Sequence, residues 1–248
     1  MSISVALAYY NGEKYIKEQV DSILPQLGER DELIISVDGA TEDSRAILNI
    51  MRKKDERIRI VKGPGKGVVQ NVDRLLRLCG GDIIFLADQD DVWASDKVEK
   101  VMAVFNKNPG VTAVLHDAVL MDGEARLLDE KSMFSFRHSR TGMMKNIIRN
   151  SYVGCCMAFR RELVPIICPI PKEMYMHDFW IGMVAEQMGE VRLIHEPLLY
   201  YRRHEMNVTD MKHGSLGFML EKRLNIIRCM QLLKKRIENY QAREGVNR

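Results

Sequence analysis

The sequence lacks any long uninterrupted run of apolar residues, and this absence excludes one class of protein at once. No stretch of about 18 apolar residues occurs, so a membrane-spanning helix is not predicted. The first apolar run, at residues 3–8, is too short for the hydrophobic part of a secretory signal and follows no cationic residue. We therefore expect a cytoplasmic protein, either free or at the inner face of the membrane.

Cysteine is sparse, and its spacing matches neither a metal site nor a disulfide framework. The five cysteines are Cys79, Cys155, Cys156, Cys168 and Cys229, and none of them forms a C-x-x-C pair. An odd number with this spacing disfavours a zinc knuckle and a set of disulfides. We interpret these residues as buried thiols of a protein in a reducing compartment.

A basic stripe with interleaved aromatic residues is also missing, so no nucleic-acid partner is predicted. The net charge is +3, but residues 211–248 hold nine basic and three acidic side chains, a net charge of +6. The rest of the chain is therefore mildly acidic, at −3. With 248 residues, 46% of them hydrophobic, the chain has the size of one large domain or two small ones.

Apolar periodicity divides the first 105 residues into four strand–helix units. Strands are predicted at 2–8, 32–37, 57–61 and 82–87, and helices at 13–27, 43–53, 68–78 and 95–105, the last with Ser95 as its N-cap. This alternation predicts an α/β fold with a mostly parallel central sheet and helices on both faces. Ligands bind at the carboxyl ends of such strands, where Asn11, Asp38, the loop at 63–67 and the acidic turn at 88–91 all fall.

The second half of the chain is predicted to be mixed and partly antiparallel. We expect a strand at 111–116, a hairpin over 117–128, a loop over 132–140, a helix at 176–188, and short strands at 191–195 and 198–202. A basic amphipathic helix over 215–243 follows, with one apolar stripe: Met219, Ile226, Met230, Leu233, Ile237 and Tyr240. Two alternatives stay open for this helix: packing on the body or on a twin chain, and contact with an anionic membrane surface.

Three aspartates in four positions, Asp88, Asp90 and Asp91, follow the fourth predicted strand. A solvated acidic turn, a calcium site, and a magnesium or manganese site for a phosphorylated ligand are the competing interpretations. The ligand pattern of a calcium loop is missing, whereas a bound dication would offset the repulsion among the carboxylates. The glycine-rich loop at 63–67 fits neither the P-loop pattern nor G-x-G-x-x-G.

Eight ordered motifs together carry a family resemblance. They are V-A-L-A-Y-Y-N-G-E-K-Y-I, D-S-I-L-P-Q, I-I-S-V-D-G-A-T-E-D-S, G-K-G-V-V-Q-N-V, G-D-I-I-F-L-A-D-Q-D-D-V-W, G-C-C-M-A-F-R-R, M-H-D-F-W and E-P-L-L-Y-Y-R-R-H. From residue 2 to 210 the chain resembles family 2 glycosyltransferases, which have the GT-A fold. The D-Q-D-D-V-W, H-D-F-W and Y-R-R-H motifs are most similar to the rhamnosyltransferase-like subgroup. We therefore expect a GT-A domain at 1–210 and a helical tail at 211–248.

The resemblance implies roles for named residues. Asp178 matches the general base of inverting members, Asp90 matches the metal ligand, and His204 matches a further metal ligand of some relatives. Asp38 matches the aspartate that binds the pyrimidine base of the nucleotide, although Val37 and Ala40 depart from the family pattern. The residues that would contact the donor are Ala8, Tyr10, Asn11, Asp38, Lys66, Asn71, Asp88, Gln89 and Asp90.

The implied activity is an inverting transfer of a sugar from a UDP- or dTDP-sugar to a hydroxyl of a glycan or lipid-linked acceptor. Mn²⁺ or Mg²⁺ would be the cofactor, and bacterial surface polysaccharide synthesis the setting. Two alternatives remain: a non-catalytic nucleotide-sugar-binding or assembly protein, and a sugar-phosphate nucleotidyltransferase. The nucleotidyltransferase needs a glycine- and arginine-rich first loop, which residues 8–11 do not supply.

Overall fold

The computed structural model describes residues 1–128, 132–204, 216–243 and 245, and its centre is one eight-stranded sheet. The strands are β1 (Ile3–Tyr10), β2 (Glu32–Gly39), β3 (Ile58–Lys62), β4 (Ile83–Asp88), β5 (Val92–Trp93), β6 (Val111–Met121), β7 (Met157–Arg160) and β8 (Glu190–Arg202). The α-helices are α1 (Ile16–Ile23), α2 (Glu42–Lys54), α3 (Val68–Leu78), α4 (Lys97–Lys107), α5 (Met133–Arg137), α6 (Met143–Ile148), α7 (Val164–Ile167), α8 (His177–Met188) and α9 (Leu216–Arg243).

The sheet has a parallel half and a mixed half. Its strand order is β3-β2-β1-β4-β7-β6-β8-β5, and β1 to β4 run parallel to their neighbours among themselves. Strand β7 is antiparallel to both β4 and β6, β5 is antiparallel to β8, and β6 pairs with β8 in parallel. This arrangement confirms the predicted α/β fold and the change of strand direction in the second half.

Helices cover both faces of the sheet because the central strands carry buried, mostly apolar side chains on both sides. Along β1, Val5 and Leu7 pack with α1, α2 and α4, while Ala6 and Ala8 pack with α3 and α8 on the other face. Alternate side chains of a strand point to opposite faces, so a strand buried on both sides reads as a continuous apolar run.

The long C-terminal helix α9 packs on the body of the same chain. Ile226 and Leu233 are buried, and Met230, Ile237 and Tyr240 pack against the core that contains α7 and α8. This contact confirms the first alternative for the apolar stripe, except at Met219, whose side chain lies outside the described residues. The predicted domain boundary at 210 and 211 also lies outside them. No helix in the described part of the chain combines the length and apolar character needed to cross a bilayer.

Four local predictions were wrong. Helix α4 begins after Asp96, so Ser95 is not its N-cap. The hairpin over 117–128 is reduced to one bridge between Met121 and Leu127, because residues 117–121 continue β6. The loop predicted at 132–140 contains helix α5, whose N-cap Ser132 accepts a hydrogen bond from the Ser135 amide. The two strands predicted around Pro197 form a single strand, β8, with register shifts opposite His116 and Asp117.

Candidate active site

The carboxyl ends of β1, β2 and β4 meet at one edge of the sheet and bring predicted site residues together. Ala8 on β1 lies opposite Ser36 of β2 on one side and Asp88 of β4 on the other. Polar residues that follow the three strands are therefore neighbours in space, although they are far apart in the sequence.

The turn after β1 is held against the acidic turn by Gln89. The Gln89 side chain accepts a hydrogen bond of 3.1 Å from the Tyr10 amide and crosses Gly12, where a Cβ would lie 2.3 Å from its Cγ. Asn11 has a left-handed φ of 47°, and its amide donates to the Gly39 carbonyl oxygen at 3.2 Å. Tyr10, Asn11 and Gln89 thus form one group, with the Tyr10 ring exposed.

Asp38 fixes the glycine-rich loop. Its two carboxylate oxygens accept hydrogen bonds from the amides of Gly65, at 2.5 Å, and Gly67, at 3.1 Å. Both glycines have positive φ angles, 67° and 85°, which a glycine adopts without strain. The exposed Lys66 lies between them. A cavity of about 540 Å³ beside this loop is lined by Asp38, Arg45, Asn49 and Lys62, among others.

Asn71 is placed differently from the other predicted donor residues. It is 2% exposed and lies between α3 and β2, where its side chain accepts from the Ser36 hydroxyl and donates to the Ser36 carbonyl oxygen. The structure therefore does not bring it to the open edge. It holds α3, and with it the end of the glycine-rich loop, against β2.

The acidic turn is largely buried. Asp90 is 7% exposed and Asp91 is 1% exposed. The Asp90 Oδ2 atom lies 2.7 Å from Nε2 of His204, whose ring stacks on Tyr15 at a centroid distance of 5.2 Å. Asp90 and His204, which are 114 positions apart in the chain, are thus brought into direct contact.

Asp178 lies in the first turn of α8 and is 5% exposed. Its Oδ1 atom accepts a hydrogen bond of 2.6 Å from the Phe179 amide. Burial raises the pKa of Asp178, and the neighbouring His177 and Arg137 act in the opposite direction. Gly154 packs against this turn, because a Cβ there would lie 2.8 Å from Nε2 of His177.

Asp88 connects the acidic turn with Asp178. Burial, and then the negative charges of Asp90 and Asp178, raise the pKa of Asp88 to about 7. The three carboxyl groups are therefore close enough to influence one another's ionisation. Among the described residues, the ligand atoms of Asp88, Asp91 and Cys155 also lie within 4.8 Å of one another.

The glycosyl transferase family 2 model matches residues 4–165, about two thirds of the chain. The chain belongs to this family. The match ends before Asp178, Arg202 and His204, so the roles of these residues are not covered by it.

Individual relatives of this family 2 member share part of its length or its fold. TuaG of Bacillus subtilis, a glycosyltransferase named for teichuronic acid biosynthesis, is 37% identical over 158 residues, 62% of this chain and 59% of TuaG. S. aureus TarS in complex with UDP-GlcNAc superposes with a TM-score of 0.67 at 18% identity, over 98% of this chain and 73% of TarS. The mannosyltransferase PcManGT from Pyrobaculum calidifontis, in complex with GDP-Man and Mn²⁺, superposes with a TM-score of 0.62 at 16% identity, over 99% and 76% of the two chains.

These structures show that the family 2 member has the GT-A fold. The chain matches only part of the length of its curated relatives: 66%, 35% and 59% of the length of three of them.

Arg202 was not among the site residues predicted from the sequence, but the structure buries it to 2% exposure in this family 2 site. Its amide donates to Asp91 Oδ1 at 3.1 Å, and its Nε donates to the Asp90 carbonyl oxygen at 2.8 Å. A further guanidinium nitrogen pairs with Glu18 at 2.5 Å, and the group lies 4.6 Å from the Tyr15 ring centre. Arg202 therefore fixes the backbone of the acidic turn.

Lys97 was not identified from the sequence at all. It is fully buried beneath the acidic turn, where its Nζ donates to the Cys155 carbonyl oxygen at 3.0 Å. The same Nζ lies 4.0 Å from the ring centre of Trp93, which is 3% exposed. Trp180 is also buried, and its indole nitrogen donates to the Ile167 carbonyl oxygen at 2.8 Å.

Proposed function

We propose that this chain transfers a sugar from a UDP- or dTDP-sugar to a hydroxyl group of a glycan or lipid-linked acceptor, with inversion at the anomeric carbon. The observation that carries the proposal is the position of Asp88 at the end of β4, where it is close enough to both Asp90 and Asp178 for their charges to raise its pKa. The carboxylate that would serve the diphosphate, Asp90, and the carboxylate that would serve the acceptor, Asp178, are therefore both close to Asp88.

The donor would bind across the ends of β1, β2 and β4. Ala8, Tyr10 and Asn11 would border the base and ribose, with Gln89 and Asp88 beside them. Asp38 lines the cavity beside the glycine-rich loop, so it would hold both that loop and the base, with Lys66 near the donor and Asn71 acting through α3. TarS in complex with UDP-GlcNAc supports a uridine donor. The D-Q-D-D-V-W motif favours the rhamnosyltransferase-like subgroup.

The residues of the acidic turn fit a hard divalent cation. Asp91 Oδ2 is buried without a hydrogen-bond partner, and Asp90 Oδ2 lies beside the imidazole nitrogen of His204. Oxygen and imidazole ligands suit Mg²⁺ or Mn²⁺, and PcManGT in complex with Mn²⁺ supports the same choice. Asp90 and His204 would hold the ion. When bound, such an ion offsets the charge that builds up on a departing diphosphate.

Asp178 would act on the acceptor side as the general base. The acceptor oxygen attacks the anomeric carbon, forming the new glycosidic bond as the bond between that carbon and the diphosphate oxygen breaks. The acceptor proton passes to Asp178, and the nucleoside diphosphate leaves with the bonding electrons. Because attack and departure occur on opposite faces of the sugar, a single displacement inverts the anomeric configuration.

The similarity to TuaG, a protein named for teichuronic acid biosynthesis, supports a setting in polysaccharide synthesis. A position at the cytoplasmic face of the membrane stays a prediction. Contact of α9 with a membrane or with a second copy of the chain stays a prediction. Its apolar stripe is already used against the body, so such a contact would involve its outer face.

The decisive experiment replaces the base and follows the donor. We expect Asp178→Asn to lower the release of nucleoside diphosphate from UDP- and dTDP-sugars by about a hundredfold or more, while donor binding measured by calorimetry is unchanged. Asp43→Asn is the matched control, because Asp43 also lies in the first turn of a helix but is exposed. It should leave both quantities as they are.

Two outcomes would contradict the proposal. Release of nucleoside diphosphate by Asp178→Asn at the wild-type rate would show that Asp178 is not the general base. Tight donor binding without release by the wild-type protein, with Mn²⁺ and every donor offered, would favour a non-catalytic binding protein. The anomeric configuration of the transferred sugar, read by NMR, tests inversion independently.

A further inference from the structure

Residues 132–150 form a segment with an unusual charge pattern. They contain four Lys or Arg residues, Arg137, Arg140, Lys145 and Arg149, and no Asp or Glu. The body of the chain, by contrast, carries a net negative charge up to residue 210. Within this stretch, which contains α5 and α6, no acidic side chain offsets the positive charge.

The same segment exposes large apolar side chains. Phe136 on α5 is 44% exposed, and Met144 and Ile148 on α6 are 65% and 75% exposed. Met144 and Ile148 are four positions apart on α6 and therefore lie on the same side of it, next to the exposed Lys145. Arg149 follows directly after the helix and is also exposed. We call these five residues the α5–α6 face: Phe136, Met144, Lys145, Ile148 and Arg149.

Hydrogen bonds on the inner side hold this face in place. Asn146 is 1% exposed, donates to the carbonyl oxygens of Arg140 and Gly142, and accepts from the amide and hydroxyl of Ser151. Asn146 therefore closes the loop around α6. The inner side of α6 is thus occupied by Asn146, and Met144 and Ile148 lie on the exposed side.

The α5–α6 face is also tied to the helix that carries Asp178. The Gly142 amide and the Tyr152 hydroxyl both donate to one carboxylate oxygen of Glu186 on α8, at 2.6 and 2.8 Å. Arg137, at the end of α5, lies close enough to Asp178 to influence its ionisation. The face is therefore positioned relative to the side of the site where the acceptor would enter.

We propose that the α5–α6 face docks this protein onto the surface of an anionic lipid bilayer. Lys145 and Arg149 would lie among the anionic headgroups, and Phe136, Met144 and Ile148 would enter the boundary between headgroups and acyl chains. Charge complementarity selects this occupant. A second copy of the chain would bring basic residues against basic residues across a two-fold axis, and a glycan offers no apolar phase for three large side chains.

This inference goes beyond the proposed function and does not depend on sugar transfer. Vesicle binding and sugar transfer are measured in separate assays. Failure to bind vesicles would therefore not contradict the proposed transfer, and failure to transfer sugar would not contradict the proposed docking.

The experiment is co-sedimentation of the full chain with vesicles of phosphatidylcholine alone, or of equal parts phosphatidylcholine and phosphatidylglycerol. We expect binding to the mixed vesicles only, weakening as salt is added. Lys145→Gln with Arg149→Gln should weaken the partition by about 25-fold, from about fivefold for each basic residue. Met144→Ser with Ile148→Ser should weaken it by about tenfold.

A control pair combines one exposed apolar and one exposed basic side chain, four positions apart, on another surface. Ile50, which is 54% exposed, and Lys54 are four positions apart on α2, and Ile50→Ser with Lys54→Gln should bind as the wild type does. Melting temperatures of all variants should match, because the changed residues are exposed.

Three results would overturn the proposal: no binding of the wild type to the mixed vesicles, equal binding to both kinds, or unchanged binding by both α6 variants. In the last case, loss of binding in Leu224→Ser with Ile227→Ser would assign the membrane contact to α9, where these residues are 49% and 55% exposed.

Discussion

The ammonium group of Lys97 donates a hydrogen bond of 3.0 Å to the carbonyl oxygen of Cys155. This bond joins the start of α4, just after the acidic turn, to the 3-10 turn before β7. Lys97 is fully buried and lowers the pKa of Asp88, although burial and the neighbouring carboxylates raise it more. The acidic turn is thus folded around an internal cation, which offsets part of its negative charge without any bound ligand.

The first prediction concerns stability at alkaline pH. Burial lowers the pKa of Lys97 from 10.5 to about 8. Between these values the unfolded chain keeps a proton on this lysine that the folded chain has lost, so the free energy of unfolding should rise with pH through that window. The rise should be ~3 kcal/mol in total. Below pH 8 both states are charged and the contribution is flat.

Urea unfolding of the wild type and of Lys97→Met, measured at intervals across this window, checks the prediction. Other lysines and tyrosines titrate in both proteins, so the difference between the two curves isolates Lys97. Parallel curves would contradict it.

A second prediction concerns Arg202. Its planar group contacts the Asp90 carbonyl oxygen and Glu18 at once, which the single ammonium of a lysine does not reproduce. Arg202→Lys should lower the free energy of unfolding by about 2 kcal/mol, from lost hydrogen bonds of a charged group. It should also reduce the rise in melting temperature that we expect on addition of Mn²⁺ with UDP, because the acidic turn is no longer fixed.

The neighbouring Arg203 is exposed, so Arg203→Lys is the control and should match the wild type in both measurements. A full Mn²⁺ response in Arg202→Lys would show that the turn does not need this contact.

The first half of the fold could be predicted from the sequence because its elements follow local rules. The apolar run of β1 and the helical spacing of Val72, Leu75 and Leu76 on α3 each bury against neighbours that any α/β sheet supplies. The second half departs from the prediction where long-range pairing decides. Residues 117–121 continue β6 because β8 pairs with β6 as far as Met121. No local sequence pattern indicates that β8 is the partner strand.

The candidate site shows the same division. Strand ends placed Asp38 and Asp88 at one edge, and the family motifs indicated Asp90, Asp178 and His204. Lys97 was missed because a lysine at a helix start is ordinarily solvated. A signal was present, since Lys97, Val101 and Phe105 recur at four-residue spacing and all three are buried on the core side of α4. Arg202 had no such signal, because a motif does not tell which of two adjacent arginines turns inward.

A third prediction concerns Asp38 and the glycine-rich loop. An asparagine offers one acceptor oxygen, so Asp38→Asn keeps at most one of the hydrogen bonds to Gly65 and Gly67 and turns an NH₂ group towards the other amide. Hydrogen exchange over residues 63–67 should become faster, and the KM for the donor should rise about tenfold, the loss of one charge-assisted hydrogen bond. Asp43→Asn is again the control. Unchanged exchange in this loop would contradict the prediction.

The fourth prediction concerns the pH dependence of transfer. Asp178 accepts a proton only when it is ionised, and burial raises its pKa, so kcat/KM should fall as the pH drops through that raised value. The positive charge of Arg137 opposes the effect of burial. Arg137→Gln removes this charge, so the acid limb of the profile should move to higher pH, while the rate on the plateau changes much less. Arg149→Gln, in the same segment but exposed, should leave the limb in place when a soluble acceptor is used. An unshifted acid limb in Arg137→Gln would mean that the titrating base is not Asp178, because no other change to this carboxyl group accompanies the substitution.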